Sequence, residues 1–97
     1  MIWEERAEAV LRQLCGMVPE TLRELASAAA RDESELVASD RESDVVTEDD
    51  VMRGWIRTTP PEQRNGMVAV IESLGLEPFA FASDLEDAEG WEEPEED

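Results

Sequence analysis

The stretch Val46-Thr47-Glu48-Asp49-Asp50-Val51-Met52-Arg53-Gly54-Trp55-Ile56-Arg57 reads as an amphipathic helix with its start signal attached. The Thr47 hydroxyl is placed to cap the amide of Asp50, and three acids fill the first turn, where the helix dipole is positive. Val46 can staple onto Val51 across that turn. Val51, Met52, Trp55 and Ile56 then recur at the three- and four-residue steps of an α-helix, so a helix is predicted from Thr47 to about Arg57.

Upstream, the polar run 39–44 has no periodicity and reads as a loop. Before it, 19–38 contains no glycine and no proline beyond Pro19. Leu22, Leu25, Ala26, Ala29, Leu36 and Val37 supply a helical stripe there. A first helix is predicted from Ile2 to Leu14 on Trp3, Ala7, Val10, Leu11 and Leu14, with Gly16 as its stop and Pro19 in the first turn of the next.

Downstream, Thr59-Pro60-Pro61-Glu62 repeats the capping pattern, although a proline before a proline disfavours helical backbone and lets the start slip. Met67, Val70, Ile71 and Leu74 form the stripe of this fourth helix, which Asn65-Gly66 can interrupt in its first half. Gly75 followed by Leu76 fits a helix end that brings Leu76 onto Ile71. The expected fold is all-α: a compact four-helix domain over 1–83 and a disordered acidic tail over 84–97, where nine acids and no base leave little to bury.

Ninety-seven residues close one hydrophobic core, burying roughly two-thirds of the unfolded surface. The chain has 26 acids against eight basic residues, all arginine, for a net charge of −18. That sign repels phosphate backbones and anionic membranes, so neither direct nucleic-acid binding nor membrane binding is expected, and another protein is the partner implied. The same composition also suits a proteome adapted to high salt or encoded by GC-rich DNA. Cys15 is the single cysteine, which rules out an intrachain disulfide, and the lack of a basic-then-apolar leader or a membrane-length apolar run points to the cytoplasm.

The chain contains no His and no Lys, so the usual bases that activate a Ser or Cys nucleophile are missing. Cys15 reads as a small buried hydrophobe. The acids lack the alternating oxygen ligands around a central glycine that a calcium loop needs. No enzyme activity, metal or cofactor is expected.

Two features rise above this background. Between Val51 and Ile71 the charged residues are Arg53, Arg57, Arg64 and Glu62, a positive island in an acidic chain. Arg53 and Arg57 share one helix face, and the planar guanidinium fork suits carboxylates. Either the island pairs with nearby carboxylates for solubility, or it docks an acidic partner or the chain's own tail. The second feature is Phe79-Ala80-Phe81-Ala82-Ser83-Asp84-Leu85 leading to Trp91, an acidic-hydrophobic segment of the kind that folds onto a partner groove. Phe79 and Phe81 are expected to cover the open end of the core, and Trp91 to be exposed. Candidate partner-binding residues are therefore Arg53, Arg57, Arg64, Phe79, Phe81, Leu85 and Trp91.

Trp3, Ala7-Glu8-Ala9 with Leu11, Val18-Pro19-Glu20-Thr21-Leu22-Arg23, then Ala26, Glu33 and Ala38, and Val46-Thr47-Glu48-Asp49-Asp50-Val51 together resemble the small helical C-terminal domain of light-independent protochlorophyllide reductase. The resemblance covers residues 3–51 and departs from the family at Glu20 and Thr21, where the family has aromatics, and in its acidity. It implies a helical accessory domain beside a nitrogenase-like iron–sulfur enzyme and no catalytic residue. The expected function is a non-enzymatic protein-interaction or accessory module. The alternatives are an acidic nucleic-acid mimic that inhibits a DNA-binding protein, and an accessory domain of a nitrogenase-like redox complex.

Overall fold

A computed structural model describes residues 1–86. The chain is all-α, with five α-helices among the described residues: α1 (Glu5–Cys15), α2 (Glu20–Asp40), α3 (Glu48–Arg57), α4 (Met67–Ser73) and α5 (Ala82–Glu86). Two 3-10 turns, Pro61–Gly66 and Pro78–Phe81, lead into α4 and α5. The fourth helix expected from Thr59 is thus a 3-10 turn followed by a short α-helix, with the change at Gly66. Thr59 does not cap it; its hydroxyl donates back to the Trp55 carbonyl at 2.8 Å.

Ile2–Trp3 (β1) are not helical, as the periodicity suggested, but pair in parallel with Val45–Val46 (β2). Two residues are too few for a period of two to show in the sequence. The pairing places the entries to α1 and α3 side by side, and the Glu4 amide donates to the Val46 carbonyl at 3.0 Å. Both helices then run antiparallel to α2. Trp3 bonds Glu35 through its indole N–H at 2.9 Å, Glu8 pairs with Arg31 at 3.1 Å, and Arg23 reaches the Cys15 carbonyl at 3.0 Å. Along α3 the partners on and beyond α2 descend in the same way, Arg41 to Asp50 and Glu33 to Arg57.

The α2–α3 contact closes around Gly54, which is buried. A Cβ there would lie 2.7 Å from Ser34 Oγ, 2.8 Å from Ser34 N and 2.9 Å from Ser34 Cα. Such distances are repulsive, so a glycine is required for the backbones to come this close. Ser34 itself is buried and bonds back to the Ala30 carbonyl at 2.6 Å, which removes its hydroxyl as an unsatisfied group.

The start of α3 is built as the sequence predicts. Thr47 and Asp50 form a reciprocal capping box, with the Asp50 amide on Thr47 Oγ1 at 3.4 Å and the Thr47 amide on Asp50 Oδ2 at 2.9 Å. Asp50 also does more than cap. It is 1 % exposed and is gripped by both forks of Arg41, at 2.9 and 2.5 Å. Burial by itself would raise its carboxyl pKa, but the bonds from Arg41 and Thr47 outweigh this and hold it below the usual value.

α2 ends on Arg41, with Glu42 at φ 61°. The Ser43 amide bonds the Ala38 carbonyl at 2.9 Å and the Glu42 amide bonds Ser39 at 2.9 Å, a Schellman arrangement with glutamate in the left-handed position. Gly75, at φ 81°, closes α4 in the same way, with the Leu76 amide on Ile71 at 3.1 Å. Gly16 ends α1 at an ordinary right-handed φ of −64°.

The core joins Ala7, Leu11 and Leu14 of α1, Val51, Met52 and Ile56 of α3, Ile71 of α4 and Phe81. On α2 the buried face is Ala30, Ser34, Val37 and Ala38. The expected stripe through Leu22, Leu25 and Leu36 is a correction: these leucines face solvent, because the neighbouring helices pack on the other side of α2. Cys15 and Trp55, expected in the core, are half-buried at its edge.

Gly54→Ala is expected to lower stability by about 2 kcal/mol despite alanine's better helix propensity, because the helices must separate. Adding Ser34→Ala should not restore the melting midpoint, since the Ser34 amide and Cα remain in the way. Asp50, with its folded pKa lowered, contributes stability above the ordinary carboxyl range near pH 4, which is lost as pH falls through the folded value. Denaturant titration of Asp50→Asn should therefore show a deficit at pH 7 that narrows below about pH 4.

Candidate functional site

The arginine island converges on one carboxylate. Asp84, on α5 and 8 % exposed, accepts from Arg53 Nη1 at 2.6 Å and lies 3.6 Å from Arg57 Nε. Arg64 is buried at 3 % exposure and donates to the backbone carbonyls of Asp84 at 3.2 Å and Thr59 at 3.0 Å. Arg57 also lies 3.6 Å from Glu33 on α2. Arg53 covers the Phe81 ring at 5.1 Å. The three arginines thus hold the chain's own acidic C-terminal segment, one of the two ligands that their spacing suggested.

This arrangement corrects the boundary placed after Ser83. Asp84 and Leu85 belong to the folded body, Leu85 packing against the core. Phe81 is buried as expected, but Phe79 is 83 % exposed and does not cover the core. Trp91, and the expected tail from residue 87 onward, lie outside the described residues.

A different surface stands open. α2 has 21 residues and α3 has 10, or roughly 31 against 15 Å at the helical rise. Because α3 pairs with the C-terminal half of α2, the N-terminal half extends past it. The α1–α2 turn, that half of α2, the end of α3 and the 61–67 region form the walls of a groove of about 530 Å³. Leu22, Leu25, Ala29, Trp55, Thr58 and Met67 line it among others, and no lining residue carries a charge. Leu25 is 71 % and Leu22 is 51 % exposed. Their stripe continues along α2 to Leu36, which is also exposed.

A second cleft, of about 470 Å³, lies between α1 and α2 and includes Cys15 with Arg12, Arg23 and Arg31. Two of its arginines are committed: Arg31 to Glu8 and to the Trp3 ring at 4.4 Å, Arg23 to the carbonyls that end α1. Among the described residues no group of His, Cys, Asp and Glu is placed to hold a metal ion, and no helix is long and apolar enough to cross a membrane.

No family model matches this chain, and no curated protein or solved structure matches it either. The groove was hidden in the sequence because its leucines have the same spacing as a core stripe. The signal that could have exposed it is the mismatch in length between the second and third helices.

Asp84→Ala is expected to cost about 3 kcal/mol, the loss typical when one member of a buried ion pair is removed and arginines are left uncompensated. Thermal melts of this variant and of a chain ending at Ser83 should both fall in midpoint relative to the full chain, the latter by more because Leu85 is lost as well.

Proposed function

We propose that this chain is a non-enzymatic protein-interaction module that binds through the groove beside the overhanging half of α2. The observation that carries this reading is a charge-free, leucine-lined surface on a chain of net −18. Large apolar groups grouped at the surface cost solubility, and grouping of this kind marks interaction sites. The absence of His and Lys supports a non-catalytic role. The arginine island takes an internal role in this reading, as the clasp of α5.

A nucleic-acid mimic is the second reading, favoured by the net charge alone. An accessory role beside a nitrogenase-like enzyme rests on the sequence resemblance over residues 3–51. Capture of partners at low and moderate salt, comparing the native chain with Leu22→Glu/Leu25→Glu, separates the first two. The interaction module predicts capture that survives moderate salt and is lost in the double variant. Capture that collapses with salt, is competed by DNA and ignores the leucines would establish the mimic instead.

A further inference from the structure

Resting on the groove as the binding surface, we infer that its occupant is a basic amphipathic helix of a partner protein, laid along α2 with its apolar side on Leu22, Leu25, Ala29 and Leu36. These residues recur in steps of three, four and seven along α2, so they form a straight stripe on one side of the helix. A helix offers the complementary stripe with apolar anchors at the same steps. The groove lies open between α2 and the Trp55–Met67 wall, so an entering helix finds contact on two sides.

Charge selects the sign of the partner's remaining face. The groove itself is uncharged, but Asp32 on α2 and Glu62 beside the Pro60 wall are exposed and form no ion pair among the described residues. The nearby cations are turned elsewhere: Arg57 pairs with Glu33 and Asp84, and Arg23 bonds the carbonyls of Cys15 and Val18. Lysines and arginines flanking the apolar anchors of a partner helix would therefore meet carboxylates that are free to pair with them. A second copy of this chain meets the opposite condition, since each copy brings a net charge of −18. Electrostatic attraction also raises the association rate of a basic partner with a chain of this sign.

The test uses the full chain and three labelled synthetic peptides, with binding read by fluorescence anisotropy. One carries leucines at i, i+3, i+4 and i+7 with lysine elsewhere; one has the same leucines with glutamate elsewhere; one has the lysine composition scrambled so that no apolar side forms. The basic amphipathic peptide should bind saturably and at least about tenfold tighter than either control, and Leu22→Glu/Leu25→Glu should remove that difference. Both leucines are already exposed, so the variant keeps its fold, which its far-ultraviolet spectrum checks. Equal binding of the acidic and basic amphipathic peptides would overturn the charge assignment while leaving the groove as a binding surface. Equal binding of the scrambled and ordered basic peptides, indifferent to the leucine substitutions, would overturn the inference and the groove reading together. Self-association by sedimentation, lost in the leucine variant, with no preference for the basic peptide, would replace the partner helix by a second copy.

Discussion

The close approach of Gly54 to Ser34 sets the geometry on which the rest of the chain depends. With no side chain between them, α3 lies directly on the backbone of α2, and the two helices meet over the length of the shorter one. The capping box and the Arg41 clamp on Asp50 fix the near end of that contact, and Arg57 with Glu33 lies toward the far end. Register along α2 is therefore determined at several points. Once it is determined, the first half of α2 has no α3 beside it, and its leucines remain at the surface as a direct result of helix length.

The same register explains how so acidic a chain forms a core. Carboxylates at Asp50 and Asp84 are withdrawn from water, which is costly unless a cation and further hydrogen bonds accompany them. Arginine provides both, since its planar fork donates several bonds to one carboxylate. Arg6, Arg31, Arg41, Arg53 and Arg57 each pair with an acid elsewhere in the chain, joining segments distant in sequence. Positive charge is thereby used inside the fold as ties between elements, and the outer surface keeps the acidic balance of the sequence. A cluster of arginines within an acidic chain is accordingly a sign of where the chain closes on itself.

Local signals in the sequence announce the helices but not the long-range ties. Thr47 with Asp50, and Gly75 with Leu76, mark helix ends because cap chemistry acts within four or five residues. Asp50 reads as an ordinary first-turn acid because its burial depends on Arg41, a loop residue in sequence terms, turning back across the α2 terminus. Gly54 carries no local sign of its importance, since its neighbour lies twenty positions earlier. The island was legible as a charge anomaly, and its ligand was within reach of the same reasoning, but the helical turn that delivers Asp84 is too short to leave a periodic trace. On α2 the period was read correctly and the face wrongly: a stripe of leucines shows that one side is apolar, and only the neighbouring helices decide whether that side is covered.

That distinction bears on the choice between an interaction module and a charge mimic. A mimic functions through the spacing of its carboxylates and gains nothing from exposed leucines, which would only promote association with unrelated apolar surfaces. Here the apolar residues are gathered on one side of one helix, beside a wall that includes Trp55, and the cations near them are bound inward. Against a background of net −18, such a strip discriminates in two ways: apolar contact supplies short-range affinity, and the surrounding field excludes acidic helices that would otherwise fit the same shape. A partner must then satisfy both conditions at once, and an amphipathic helix with a basic outer face is the simplest element that does.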